Sequence, residues 1–346
     1  MEKIKKLRKL LKISNLDGYI VPKNDEYFSE YVPNIKDRLK FISNFTGSYG
    51  FAIILKNKNL LFVDGRYTLQ AKIQSGNNFS VLTLPNKFPF NIFKKKKLKI
   101  GYDPKLHTRQ DLQRIFKKTF CKLNPINQNL IDKFWVRKKY HMPKKFYVLP
   151  NNIIGHNYIF KTNKIIKILK KFKFDFQFIS SGENIAWLLN IRGHDSKYSP
   201  VTNAYLTIDT KKRISLFCDL RKVNNTLKRK FKNINFIDIK YLDLFLLKVK
   251  NKKILVDPKS CSIFFENIIK KNNFIKYFDP IYSLKSIKSK IEIKNMIKSH
   301  IFDGEALTKF LFWLKKNYTK QKISEIDAEK KLFKFRKQNK NFKFLS

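Results

Sequence analysis

The chain has 346 residues, and its 75 Lys and Arg against 26 Asp and Glu leave a formal net charge of +49. No stretch approaches the roughly 18 uninterrupted apolar residues of a membrane span, and Met1-Glu2-Lys3-Ile4-Lys5-Lys6 opens a charged amphipathic helix rather than a secretory signal, so the expected location is the cytoplasm. The positive charge is nearly all lysine, spread along the chain with an excess of Asn, Ile and Phe, which fits A/T-rich coding better than an arginine-based nucleic-acid surface.

Ile4, Leu7, Leu10 and Leu11 recur at helical spacing. A turn at Asn15 to Gly18 leads to a short buried strand, Tyr19-Ile20-Val21, stopped by Pro22. A polar loop with Asp25, Glu26 and Tyr27 follows. Phe51 to Leu55 and Leu60 to Val63 read as a hairpin around Lys56-Asn57-Lys58-Asn59. Next come a helix from near Tyr67, a strand from Val81 to Leu84, a lysine-rich loop at Lys94 to Lys97 and a strand from Leu98 to Tyr102. Thr108 is the expected N-cap of a helix carrying Leu112, Ile115 and Phe116.

The same order then returns. Ile165, Ile166, Ile168 and Leu169 mark a helix, Phe176 to Ile179 a strand, and Ser180-Ser181 cap a helix from Glu183 to Leu189. Tyr205 to Ile208 and Ile214 to Cys218 form a second hairpin, Ile254 to Val256 a strand and Phe264 to Ile269 a helix. Ile100-Gly101-Tyr102-Asp103-Pro104-Lys105 reappears as Ile254-Leu255-Val256-Asp257-Pro258-Lys259, and Asp64-Gly65-Arg66-Tyr67 as Asp219-Leu220-Arg221-Lys222, about 154 positions later. A period this long is a duplicated domain, not a solenoid of about 20–50-residue repeats. Alternating helices and strands with hairpins make each copy an α/β domain with a mixed sheet. The expected units are 1–150 and 151–283, joined near Pro150 to His156.

Residues 284–346 match neither copy. Ile293, Met296, Ile297, His300, Leu307, Phe310, Leu311 and Leu314 give one long amphipathic helix, and Ser324-Glu325-Ile326-Asp327 reads as a capping box opening another. Both present apolar faces with little chain left to cover them. This piece is expected to be the start of a further domain. Cys121, Cys218 and Cys261 are isolated, so neither a disulfide framework nor a zinc knuckle is expected.

Several segments together resemble the aminopeptidase P family, the Xaa-Pro aminopeptidases of the creatinase and prolidase superfamily, in its three-domain form. They are Gly18 to Pro22, Ser29 to Pro33, Phe41-Ile42-Ser43-Asn44-Phe45-Thr46-Gly47-Ser48 and Asp64 to Ala71 in the first copy. In the second they are Asn184-Ile185-Ala186-Trp187-Leu188-Leu189-Asn190-Ile191-Arg192-Gly193, with Asp195 and Tyr198-Ser199-Pro200-Val201. Ser283 to Lys288, with Glu292, Met296, His300, Asp303 and Gly304, follows in order. The resemblance implies two ribonuclease-H-like domains of the creatinase N-terminal type with mixed sheets. It further implies that 284–346 holds the first two helices of a pita-bread catalytic domain. The implied activity is removal of an N-terminal residue preceding proline, by two divalent metals, commonly manganese, held by two Asp, one His and two Glu. Those ligands fall beyond Ser346 in the family's layout, so the chain is expected to be inactive alone and to serve substrate access and oligomerisation, as a homodimer without membrane or specific nucleic-acid partners. A stand-alone scaffold or dimerisation protein, and a basic nucleic-acid-binding protein, are the rival classes.

The site residues implied are few. Arg66 is expected to face the cleft, where a guanidinium orients peptide carbonyls or a carboxylate; the competing reading is that it only ties its loop to Asp64, as Arg221 would in the second copy. His300 and Asp303 are expected to serve helix packing and a local hydrogen bond, and His194 and Asp195 a loop at a domain interface. His107, His141 and His156 receive no role. Walker A, Gly-x-Gly-x-x-Gly and Gly-x-Ser-x-Gly motifs are absent.

Overall fold

The computed structural model describes residues 2–137, 143–270 and 272–344. The strands are, in chain order, β1 (Gly18–Pro22), β2 (Gly50–Leu55), β3 (Asn59–Asp64), β4 (Ser80–Leu84), β5 (Lys99–Tyr102), β6 (Lys122–Pro125), β7 (Tyr147–Val148), β8 (Phe176–Ile179), β9 (Ile191–Arg192), β10 (Ala204–Asp209), β11 (Ile214–Cys218), β12 (Ile234–Asp238), β13 (Lys253–Val256) and β14 (Asn273–Lys276). Twelve of them form two six-stranded sheets, ordered β4-β3-β2-β1-β5-β6 and β12-β11-β10-β8-β13-β14. Matched strand for strand, these orders are the same. So are the directions: the first three strands of each unit pair antiparallel with one another, and the other three are joined on by parallel pairing. The duplication read from the repeat is therefore a duplication of fold.

Each sheet is buried on both faces, because its strands carry apolar residues at successive positions and the pleat sends them to opposite sides. Tyr19 and Val21 point into the core capped by the helix Glu2–Ile13, while Ile20 points into the core under the helix Arg109–Phe116. Ala52 and Ile54 divide from Phe51 and Ile53 in the same way. In the second unit Leu206 and Ile208 meet the helix Tyr158–Lys171, and Tyr205 and Phe217 face the helices Leu242–Lys248 and Ile263–Ile269. The expected caps form: Thr108 accepts from the Asp111 amide at 3.2 Å and Ser181 from the Asn184 amide at 3.4 Å.

The copies share their turn chemistry as well. Asp17 and Asp175 each accept the amide that opens the fifth strand, from Lys99 and Lys253, both at 2.9 Å. Asp103 and Asp257 each accept the amide two residues on, from Lys105 and Lys259, as an Asx-turn does.

Some boundaries differ from the sequence reading. Pro22 is the last residue of β1, opposite Phe51, rather than the first residue after it. The edge strands β6, β12 and β14 are short and half polar, and the helix Pro280–Ser286 runs through the expected start of the third piece. That helix packs on the second core through fully buried Ile281. Likewise Phe146 already belongs to the second core, and β7 pairs with β9.

The units meet along a polar and aromatic joint. Ile263 and Phe264 donate their amides to the carbonyls of His107 and Pro104, at 2.9 and 3.0 Å, and the Ile263 side chain enters the first unit's core. Arg109 Nε donates to buried Glu266 at 2.8 Å. Tyr27 stacks on Tyr205, with 5.2 Å between centroids, and the Tyr205 hydroxyl donates to the Glu26 carbonyl. Beyond the second unit, the helices Lys290–Asn317 and Glu325–Lys337 form a hairpin tied by Arg336 gripping both Asp303 oxygens. In the longer helix only Ala306 is buried.

Candidate functional site

Arg66 sits in the turn after β3. Asp64 Oδ1 accepts its amide at 3.0 Å, and the carboxylate takes its Nε and Nη2, the latter at 2.7 Å. The guanidinium also lies over the Tyr67 ring and is 71% exposed. Asp219 and Arg221 repeat the clasp after β11, with Nη2 again at 2.7 Å. Each arginine holds its aspartate below the usual carboxylate range. The clasp is thus part of the repeated fold, and Arg66 keeps its Nη1 side toward solvent.

The other candidates are placed apart. Asp195 accepts from the buried Lys222 ammonium at 2.5 Å and from the Asn203 amide, locking its loop within the second unit, while His194 lies against Tyr147. Asp303 pairs with Arg336 of the neighbouring helix rather than locally, and His300 is exposed. His156 stacks on Phe160, with 4.0 Å between centroids. His107 is buried with its Nε2 unpartnered, and burial pushes its pKa down to about 3. His141 lies outside the described residues.

Two clefts are more informative than any of these side chains. The first, of about 520 Å³, lies at the joint between the units. Its first-unit wall is an ionic network: Glu26 takes Lys36 and Arg38, and Asp132 takes Arg38 and Arg137. Burial works to raise the Glu26 pKa, but the Lys36 and Arg38 charges outweigh it and hold the group at about 2. Every buried charge here is matched, so the wall is a rigid structural joint.

The second cleft, of about 690 Å³, lies between the second unit and the start of the helix Lys290–Asn317. The helix is seated there by its capping box, in which Ser289 accepts from the Glu292 amide and Glu292 accepts from the Ser289 amide. Gly155 lets this cap approach: a Cβ at that position would stand 1.8 Å from Ser289 Oγ. Lys161, Trp187, Arg192, Tyr282 and Lys285 line the same space. Sequence reasoning assigned no role to Lys161 or Arg192, because the residues that enclose them come from four separate segments. Among the described residues no group of three or more His, Cys, Asp or Glu side chains is placed to hold a metal ion. Among the same residues no helix is long and apolar enough to cross a membrane.

Comparison with known proteins places these features. Profiles described as the Creatinase/Prolidase N-terminal domain match twice, over residues 3–133 and 138–292. The chain is 31% identical over 363 residues to the probable Xaa-Pro aminopeptidase P of Laccaria bicolor, covering 100% of this chain and 56% of the relative. It is 30% identical over 374 residues to Xaa-Pro aminopeptidase 1 of Dictyostelium discoideum, covering 100% of this chain and 58% of that one. The X-prolyl aminopeptidase of Caenorhabditis elegans, described as a cytosolic enzyme with a di-nuclear active site, superposes with a TM-score of 0.90 at 25% identity. That alignment covers 99% of this chain and 60% of the other. The chain spans a little over half the length of the curated relatives it matches.

Proposed function

This chain belongs to the creatinase/prolidase family, with two N-terminal-type domains in tandem, and we propose that it is the N-terminal part of a metal-dependent Xaa-Pro aminopeptidase. The observation that carries the reading is collinearity: a single alignment runs through both units and both C-terminal helices of this chain. Domain limits at about residues 150 and 283 go with it.

The activity proposed for the whole protein is release of an N-terminal residue that precedes proline, with two divalent metals, of which manganese is the one expected. The described residues do not fit such a centre, since no cluster of suitable donors exists among them. No step of the hydrolysis is assigned to them. Their part is to shape access to substrate and to form the contacts of a homodimer in the cytoplasm. Arg66 is the residue proposed to face substrate: Asp64 anchors its Nε and Nη2, which presents the rest of the guanidinium in a fixed direction. If so, R66Q in the complete enzyme raises KM for short peptides several-fold, and R221Q does not.

The 346-residue chain with added manganese is expected to release no residue from Ala-Pro-Phe. The reading frame beyond codon 346 is expected to stay open and to encode the five-ligand pattern. Proline-specific release by the purified chain would overturn the division of labour proposed here. A stop at codon 347 would leave a non-catalytic scaffold instead.

A further inference from the structure

Lysine covers this protein's surface but is rarely buried, so the buried cations are informative. Among the described residues three are buried: Arg38, Lys161 and Lys222. Arg38 meets the carboxylates of Glu26 and Asp132, and Lys222 meets that of Asp195. Lys161, only 3% exposed, bonds neutral oxygens alone: the Trp187 carbonyl at 2.9 Å and Asn190 Oδ1 at 2.6 Å, with its Nζ 4.1 Å from the Trp187 ring centre. Taking an ammonium out of water is costly unless a carboxylate offsets it. Burial accordingly pushes the Lys161 pKa down to about 8, and it lowers that of Arg192 for the same reason.

Arg192 is the second unmatched cation. Its Nη1 donates to the carbonyls of Ala186 and Ile191, at 2.8 and 2.9 Å, and its Nε and Nη2 have no acceptor among the described residues. That open edge is the one with which Arg38, Arg66 and Arg336 each grip a carboxylate in this same chain. Lys161 and Arg192 line one cavity, the 690 Å³ cleft between the second unit and the long helix, with Trp187 and Tyr282 as flat walls and Lys285 and Lys288 beside them. The acidic groups nearby are already engaged. Glu292 lines the cavity and its charge works against burial to raise the Lys161 pKa, but its carboxylate caps the helix through the Ser289 amide at 2.8 Å, and Glu183 pairs with Lys285 at 3.2 Å. Codon drift toward lysine explains a basic surface; it does not explain two cations lining one cavity with no carboxylate hydrogen-bonded to either.

We propose that this cavity binds an organic carboxylate of the size of a di- or tripeptide, gripped by the Nε–Nη2 edge of Arg192. Lys161 adds a second positive charge, and Trp187 and Tyr282 pack on the ligand's apolar body. The volume falls within the roughly 300–1,000 Å³ of small-ligand sites, and a planar guanidinium edge matches a carboxylate's two oxygens. The inference goes beyond the aminopeptidase reading and does not depend on it.

The test is isothermal titration calorimetry of the purified chain in 0.15 M salt with three probes: Ala-Ala-Phe as the free acid, its C-terminal amide, and inorganic phosphate. The free acid is expected to bind at least tenfold more tightly than either of the others. R192Q is expected to bring the acid down to the amide's affinity, whereas K95Q, in an exposed lysine run, changes neither. R192K keeps the charge but loses the fork, so it should also weaken the acid about tenfold and serves if R192Q does not fold. Equal affinity for acid and amide, no binding of either, phosphate binding as tightly as the acid, or acid binding that survives both Arg192 substitutions would overturn the assignment.

Discussion

Arg109 and Glu266 join the two units, and substituting each should have unequal consequences. Glu266 is 1% exposed; its Oε2 takes Arg109 at 2.8 Å and its Oε1 faces Lys276 at 3.1 Å. Arg109 and Lys276 are 44% and 34% exposed, so either cation can turn to water if the acid is removed. The acid cannot. R109M therefore strands half of a sealed carboxylate, and its cost should approach the lower end of the about 3–5 kcal/mol seen when a buried pair is broken. E266Q keeps shape and an acceptor and loses only charge-assisted bonding, for about 1.5 kcal/mol. Once the carboxylate is gone Arg109 matters little, so the double variant should cost about as much as E266Q, a coupling of about 2–3 kcal/mol. Equilibrium urea unfolding followed by tryptophan fluorescence measures this, since Trp135 lies in the first unit and Trp187 in the second. The wild-type chain should lose both units together, and R109M should separate the transitions. A smaller cost for R109M than for E266Q, or simple additivity, would refute the reasoning.

His107 should make the protein acid-sensitive. Its folded pKa of about 3 lies below the unfolded value of roughly 6.5, so the unfolded chain binds the extra proton between those values. The neutral ring's contribution is complete above pH 6.5 and is lost as pH falls toward 3, by roughly 2 kcal/mol at pH 5. H107Q should remove that part of the slope in urea midpoints taken from pH 7 to pH 5, where Glu26, held at about 2, contributes only near and below pH 4.5. At the other end of the chain, G155A would drive a methyl into Ser289, 1.8 Å from its Oγ. It should loosen the seat of the long helix by about 1–3 kcal/mol. Limited proteolysis should then cut between residues 286 and 324 several-fold faster, with both sheets left intact; unchanged cutting rates would show that the cap does not hold the helix.

Much of the architecture was legible because it rests on local rules. The hairpins follow from short, nearly continuous apolar runs around short polar turns, and the caps at Thr108, Ser181 and Ser324 from hydroxyls placed before apolar-periodic runs. The duplication could be read because Asp-Pro-Lys and the Asp-x-Arg clasp are turn chemistry, which repeats wherever the backbone repeats. Of the edge strands, β4 kept enough apolar residues to be read, whereas β6, β12 and β14 carry polar residues on part of each face and lose the apolar signature. The helix Pro280–Ser286 was hidden because its main anchor, Ile281, joins a core already built by residues 146–255. Distance in sequence also concealed the candidate pocket. Lys161 and Arg192 look like ordinary basic residues until the fold shows that neither is hydrogen-bonded to a carboxylate.

The aspartates that recur in both copies have a consequence for how this chain can change. Asp17, Asp103 and Asp64, with Asp175, Asp257 and Asp219, all hold backbone amides rather than surface cations alone. A coding bias that replaces G by A turns an aspartate codon into one for asparagine in a single step, and the surface charge shows how far such pressure has run. These six aspartates stand where a turn needs an acceptor. They are poor targets for mutagenesis, whereas the exposed lysines are free to be exchanged. Solubility engineering of this protein should therefore add acids on the outside and leave the inherited ones untouched.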